Sequence, residues 1–258
     1  MLELDAARRN QLLAALPQDV IARWLPQLES MHLELGDVLY EPGRRMSHVV
    51  FPTTTIVSLI YILESGASAE IAVAGREGLV GISLFMGGDM TPSQAVVQSA
   101  GEAIRAPADF VMSEFNQQPQ VMHLLLRYTQ ALITQMSQTA VCNRHHSLDQ
   151  QLCRWLLLSL DRLPSNELTM TQELIANMLG VRREGVTAAA RNLSKDGLIE
   201  YRRGRITVLD RPALEQRSCE CYAVVRHEYD RLLPTWRPDA QDGLRDPART
   251  DRRRRTAS

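Results

Sequence analysis

The sequence predicts an α+β protein in three parts: a strand-rich roll, one long helix, and a small helical domain ending in a basic hairpin. Three observations carry this. Short β-branched or alternating runs recur between glycines from Met31 to Ser99. Apolar residues recur at heptad spacing from Pro119 to Cys142. The stretch from Thr169 to Leu209 reads as two short helices joined by a tight turn, then a two-stranded hairpin.

Residues 1–30 read as short helices. Leu12, Leu13, Leu16, Ile21, Trp24, Leu25 and Leu28 supply their apolar side, and Pro17 and Pro26 interrupt them. They are expected to pack on the next part. Residues 31–117 read as strands and turns. Val49–Phe51, Thr55–Leu63, Glu70–Ala74 and Ala95–Ser99 are the clearest runs, and glycines such as Gly66, Gly75, Gly81 and Gly101 punctuate them. Short strands at this spacing form a β-roll or barrel. Such a roll could be a metalloenzyme only with histidines and carboxylates clustered inside it. Here His32 and His48 fall on separate strands or turns, so no enzyme is predicted.

Residues 118–147 read as a long dimerisation helix with a hinge. Val121, Leu125, Tyr128, Leu132, Gln135, Thr139 and Cys142 form a 4-3 seam expected to meet a twin helix. Met122, Leu126, Ile133 and Met136 supply a second apolar face expected to pack on the roll. On that reading Cys142 lies near the dimer axis, where oxidation could link two subunits. Asn143–Ser147 is the expected hinge, with His145 and His146 on exposed turns.

Residues 148–233 read as a winged helix-turn-helix with a further C-terminal helix. Leu148–Leu160 is a helix carrying Trp155 into the core. Thr171 caps the next helix, which Gly180 ends by taking the left-handed turn. A second helix runs from about Arg182 to Asp196; it buries Val186, Ala190 and Leu193 and shows Arg182, Arg183, Thr187 and Arg191. A helix of this size enters the DNA major groove, which is about 12 Å wide. An arginine on its first turn can pair bidentately with guanine, and Glu184 can accept from cytosine. Arg202, Arg203 and Arg205 crowd one glycine at the hairpin tip, an arrangement suited to phosphates. Paired subunits would read half-sites about 34 Å apart, that is, a two-fold-symmetric operator in double-stranded DNA. Pro212 opens a last helix to about Leu233, expected to pack back on this domain through Leu214, Tyr222, Val225, Tyr229 and Leu232.

The C-terminal half resembles the DNA-binding domain of the Crp/Fnr family of bacterial transcription regulators. The matching residues are Thr171, Gln172, Glu173, Ala176, Leu179, Gly180, Val181, Arg183, Glu184, Val186, Leu193, Gly197, Leu198, Ile199, Gly204, Ile206, Thr207 and Val208. Leu33, Gly36, Asp37, Leu39, Tyr40, Pro42 and Gly43 resemble the opening of a cyclic-nucleotide-binding-like domain. The resemblance covers about residues 30 to 233. It implies a homodimeric, cytoplasmic regulator that contacts DNA through Arg183 and Glu184, with Thr171 and Gln172 alongside, and that has RNA polymerase as a partner. Two departures stand out. Arg182 replaces the family's usual small hydroxyl residue ahead of the Arg-Glu pair, and Ala188 stands where the best-known members carry a second arginine. In nucleotide-binding members a glutamate holds the ribose and an arginine the cyclic phosphate. Here Ile82 stands at the first position, and the second falls near Pro92 and Ser93, so cyclic AMP is not expected as effector. The effector is left open.

The net charge of −1 over 258 residues says nothing of nucleic acid; its segregation does. From Arg182 to Arg211 there are eight basic and four acidic residues. No signal peptide is expected, since the first ten residues, Met1–Asn10, have no apolar core, and no membrane span, since the greasiest run, Val49–Leu63, is short and contains Pro52. The four cysteines, Cys142, Cys153, Cys219 and Cys221, show no zinc spacing, and no metal or cofactor is predicted. If helical, Cys219 and Cys221 point to different sides. Residues 234–258 read as a disordered arginine-rich tail. Two other functions stay open: an effector-independent regulator, and a small-molecule-binding signalling protein without DNA binding.

Overall fold

The computed structural model describes residues 2–163 and 165–233. The tail expectation concerns residues outside these. Three short helices come first: α1 (Leu4–Ala7), α2 (Gln11–Ala14) and α3 (Gln18–Trp24). Asn10 fixes them to the roll. Its Oδ1 caps α2 by accepting from the Leu12 and Leu13 amides, and its Nδ2 donates to the carbonyls of Pro52 and Gly78. Trp24 packs edge-on against Phe51 and Phe110 and donates its indole N–H to Glu114, 3.0 Å away.

The roll consists of β1 (Glu29–Leu33), β2 (Val38–Tyr40), β3 (His48–Pro52), β4 (Ile56–Ile62), β5 (Ser68–Ala74), β6 (Gln94–Ser99) and β7 (Gly101–Pro107). These form two antiparallel sheets, ordered β1-β7-β3 and β2-β6-β4-β5. The four runs expected as strands are β3 to β6. The strand pattern expected to reach residue 117 stops at Pro107, where α4 (Ala108–Gln117) begins. Its Val111 and Glu114 are buried at the helical spacing of three, a period too short-lived to stand out beside the strand runs.

The long helix, α5, runs Pro119–His145, and α6 (Leu148–Leu160) comes after a two-residue break. The expected hinge thus narrows to His146 and Ser147. His146 is extended, and Ser147 forms a capping box with Gln150. Residues 151–160 of α6 are all buried, as befits a helix apolar nearly all round.

The dimer seam is corrected by the structure. Val121, Leu125, Tyr128, Leu132, Gln135, Thr139 and Cys142 are all buried inside their own chain. The polar members show why. The Tyr128 hydroxyl donates to the Leu79 carbonyl, and Gln135 Nε2 donates to the Val73 carbonyl, both in the roll. Thr139 Oγ1 accepts from Arg154 of α6. Gly78 is a consequence of this packing: a Cβ there would lie 2.3 Å from the Tyr128 ring. Of the face expected to pack on the roll, Leu126 and Ile133 are instead exposed, 43% and 39%. Met136 lies with Leu132 against the roll.

After α6 come β8 (Glu167–Thr169), α7 (Gln172–Leu179), α8 (Arg183–Lys195), β9 (Ile199–Arg202) and β10 (Arg205–Val208), the last strands ordered β8-β10-β9. The C-terminal helix is two, α9 (Arg211–Arg217) and α10 (Glu220–Leu232). Instead of folding back on its own domain alone, α10 packs chiefly along α5. No helix among the described residues is long and apolar enough to cross a membrane.

Candidate nucleic-acid interface

The interface is built from three chain segments. Thr171 caps α7, its Oγ1 accepting from the Leu174 amide at 3.2 Å. Gly180 ends α7 at φ +66°, the left-handed conformation the tight turn needs. The turn delivers α8 with Val186, Ala189, Ala190 and Leu193 buried. Its opposite face carries Arg183, Thr187 and Arg191 at intervals of four, hence on one side. Thr187 is tied down: its single hydroxyl proton is shared between Gln172 Oε1 at 2.7 Å and the Arg183 carbonyl at 3.0 Å. Gln172 and Thr187 therefore lock α7 to α8, a positioning role beside any contact with DNA.

The wing is a two-residue hairpin. Arg202 pairs with Arg205 across the strands, leaving Arg203 and Gly204 as the turn, at φ +50° and +79°. Both residues are left-handed, as in the tight turns that match strand twist. Of the three arginines expected at the tip, Arg202 and Arg205 thus end the strands and Arg203 alone lies in the turn. The two strand arginines have local carboxylates: Arg202 meets Glu200 at 2.8 Å, and Arg205 meets Glu167 at 3.2 Å. Arg203 sits at the tip.

A cleft of about 470 Å³ gathers Thr171, Gln172, Glu173, Arg183, Tyr201, Arg203 and Gly204. It joins the start of α7, the start of α8 and the wing tip. Arg182, Arg183, Glu184, Arg191 and Arg203 are exposed. Among the described residues Arg182, Arg183, Arg191 and Arg203 make no ion pair. Unpaired guanidinia gathered on one face repel one another and contribute nothing to the fold; an anionic partner reverses that sign. Tyr201, in sequence no more than a strand residue, belongs here: its hydroxyl donates to the Met170 carbonyl and its ring lines the cleft. Its alternation within Leu198-Ile199-Glu200-Tyr201 is the available signal.

Within the roll a smaller cavity of about 170 Å³ faces α5. Tyr40, Tyr61, Ile82, Thr91, Ser93, Leu132 and Met136 are among its lining residues, and none of those lining it is charged. Glu77, a few residues before Ile82 in sequence, is fully buried against Arg162 of the helical domain, 2.7 Å away.

The cysteines are also corrected. Cys142 is buried beside Cys219 of the same chain, the sulfurs 3.5 Å apart, so it is not placed to link two subunits. Cys219 caps α10 in an extended conformation rather than within a helix. Its side chain is thereby freed from helical spacing and can face the same way as that of Cys221.

Residues 150–217 match the Crp-like helix-turn-helix domain. The global nitrogen regulator of Synechococcus elongatus is 23% identical over 198 residues, spanning 73% of this chain and 89% of that protein. Among solved structures, a CRP-family transcriptional regulator from Thermus thermophilus superposes with a TM-score of 0.62 at 17% identity, covering 73% of this chain and 96% of its own. FixK2 from Bradyrhizobium japonicum gives 0.63 at 15% identity, covering 74% and 98%. Residues 150–217 are thus a Crp-like helix-turn-helix domain presenting an arginine-lined cleft, and the chain as a whole shares the fold of these solved regulators.

Proposed function

We propose that the protein works in the cytoplasm as a homodimer that reads a two-fold-symmetric DNA operator and answers to a signal received in the roll. The observation that carries this is the cleft shared by α7, α8 and the wing, where Arg183 and Arg203 stand exposed and unpaired. In this reading Arg183 and Glu184 touch base edges in the major groove, while Arg182, Arg191 and the wing arginines hold phosphates. Dimerisation uses the exposed face of α5: Leu126, Ile133 and Ala140 recur every seven residues, with Val141 alongside, 48% exposed. The uncharged cavity favours a small neutral effector over a cyclic nucleotide, whose phosphate needs a cationic partner. Leu132 and Met136 line that cavity from the helix that carries the dimer face, so a ligand there bears directly on α5. The bound dimer would then act on RNA polymerase at the promoter.

Genome-wide mapping of bound DNA supplies the operator, and mobility shifts on it test the reading. Arg183→Ala should cost about 1–3 kcal/mol on the operator and relax one base position. Arg203→Ala should weaken all sequences alike and lower the salt slope by about one. Equal losses on every sequence for Arg183→Ala would assign that residue to phosphate. No shift of any promoter fragment at low salt would refute DNA binding altogether. Calorimetry with neutral small molecules and a nucleotide panel tests the effector, and transcription in vitro tests the polymerase.

A further inference from the structure

Four metal-ligating side chains converge where α5 ends. Cys142 lies in the last turn of α5, His146 stands in the break before α6, and Cys219 and Cys221 open α10. One donor atom from each lies within 4.8 Å of all the others. Cys142 Sγ is 3.5 Å from Cys219 Sγ, and Cys221 Sγ is 3.6 Å from His146 Nδ1. Donors at about 2.3 Å (sulfur) and 2.0 Å (nitrogen) around one tetrahedral ion stand about 3.5–3.8 Å from each other. The cluster therefore has the dimensions of a single-ion site. A four-iron cluster would hold its thiolates farther apart.

The surroundings fit a cation. The three sulfurs are buried, so solvent does not compete for them. His146 turns its Nε2 to Glu220, 3.3 Å away, leaving Nδ1 toward the sulfurs. A carboxylate on the far nitrogen is the usual means of fixing a ligating imidazole's tautomer. Three thiolates, a neutral imidazole and a divalent ion sum to one negative charge. The Arg154 guanidinium, itself 3% exposed, favours the thiolates of Cys142 and Cys221 and offsets that charge. Its Nε has no hydrogen-bond partner among the described residues. The N-terminus of the 13-residue α10 adds partial positive charge at Cys219 and Cys221.

We propose that Cys142, His146, Cys219 and Cys221 bind one zinc ion, which clamps the start of α10 to the end of α5 beside the junction leading into the DNA-binding domain. Thiolate and imidazole in a closed tetrahedral set suit zinc, with no open position for catalysis. Because His146 is one of the two residues of that junction, occupancy restrains the path between roll and helix-turn-helix. The inference stands apart from DNA recognition: the site can exist whether or not the chain binds an operator.

The test uses the full chain purified under reductant without chelator. Elemental analysis should find one zinc per chain. Cobalt added after zinc removal should give the absorption of a tetrahedral thiolate site, with sulfur-to-cobalt charge transfer. Cys219→Ser, Cys221→Ser and His146→Ala should lose the zinc, and Cys153→Ser, outside the cluster, should keep it. Glu220→Gln should retain zinc but weaken it about tenfold in chelator competition. If the cysteine variants fail to fold, the cobalt spectrum of the unaltered chain still decides. An octahedral cobalt spectrum, zinc retained in all three ligand variants, or a Cys142–Cys219 disulfide in place of metal would each overturn the proposal.

Discussion

Arg203 concentrates the tension between fold and function at one residue. It is the only non-glycine with positive φ among the described residues, and a side chain in that region costs on the order of 1 kcal/mol. Asparagine tolerates the position best in such a turn. Arg203→Asn should therefore raise the stability of the domain by on the order of 1 kcal/mol in denaturant melts. The same change should weaken DNA binding in mobility shifts; a variant both less stable and equally tight would show that the arginine serves the fold. Glu70 carries a second residue-scale prediction. Burial pushes its carboxyl up to about 7, against the Ser58 hydroxyl, Arg154 and the Trp155 indole N–H, which favour the charged form. A folded state that holds this proton more tightly than the unfolded chain is most favoured by Glu70 below its ordinary value of 4.5. That contribution fades as pH rises from 4.5 to about 7 and amounts to about 3 kcal/mol. Glu70→Gln should flatten the fall in stability over that window, as tracked by urea denaturation at several pH values; an unchanged profile would assign the pH dependence elsewhere.

At the scale of elements, α5 is the informative one. Its two apolar stripes are equally legible in sequence, yet nothing in their spacing says which is covered by the same chain. Tyr128, Gln135 and Thr139 read in sequence as members of a dimer seam, its polar positions included. They instead satisfy the Leu79 and Val73 carbonyls and Arg154, partners up to 62 residues away. The exposed stripe then becomes the candidate for self-association. If the chain self-associates through this stripe, as proposed, Leu126→Glu combined with Ile133→Glu should give a monomer in light scattering and abolish cooperative operator binding while leaving each fold intact. A monomeric unaltered chain would rule out self-association through this face.

Among the described residues the main apolar core is continuous from the N-terminal helices through the roll into the helix-turn-helix, with Cys142, Cys219 and Cys221 forming a small separate cluster. Where the two halves meet, the core contains charge. Arg162, 1% exposed, pairs with Glu77, 0% exposed, and also donates to Gln135 Oε1 at 2.9 Å while its guanidinium lies over the Tyr229 ring. One side chain thus reaches the roll, α5 and α10 together. Arg162→Met should cost about 3–5 kcal/mol, because it strands the Glu77 charge in the interior. Adding Glu77→Gln should recover much of that loss in denaturant melts; if it recovers none, the packing of Arg162 outweighs its charge.

By itself the sequence determined the local grammar: the caps and stops at Thr171, Gly180 and Gly197, the buried face of α8, the arginine-crowded wing and the strand periodicity of the roll. These depend on neighbours within one turn of helix or one hairpin, so they can be read from spacing alone. Spacing hides α4, which merges into the strand run, the division of the last helix at Ser218–Cys219, and the partner of every buried polar side chain on α5. The tertiary structure alone decided which stripe of α5 is inside, and that Cys142 and Cys219, 77 positions apart, lie sulfur to sulfur. The physical reason is that a side chain's burial and ligands depend on whatever the folded chain brings against it, and contacts between distant segments leave no periodic mark on either one.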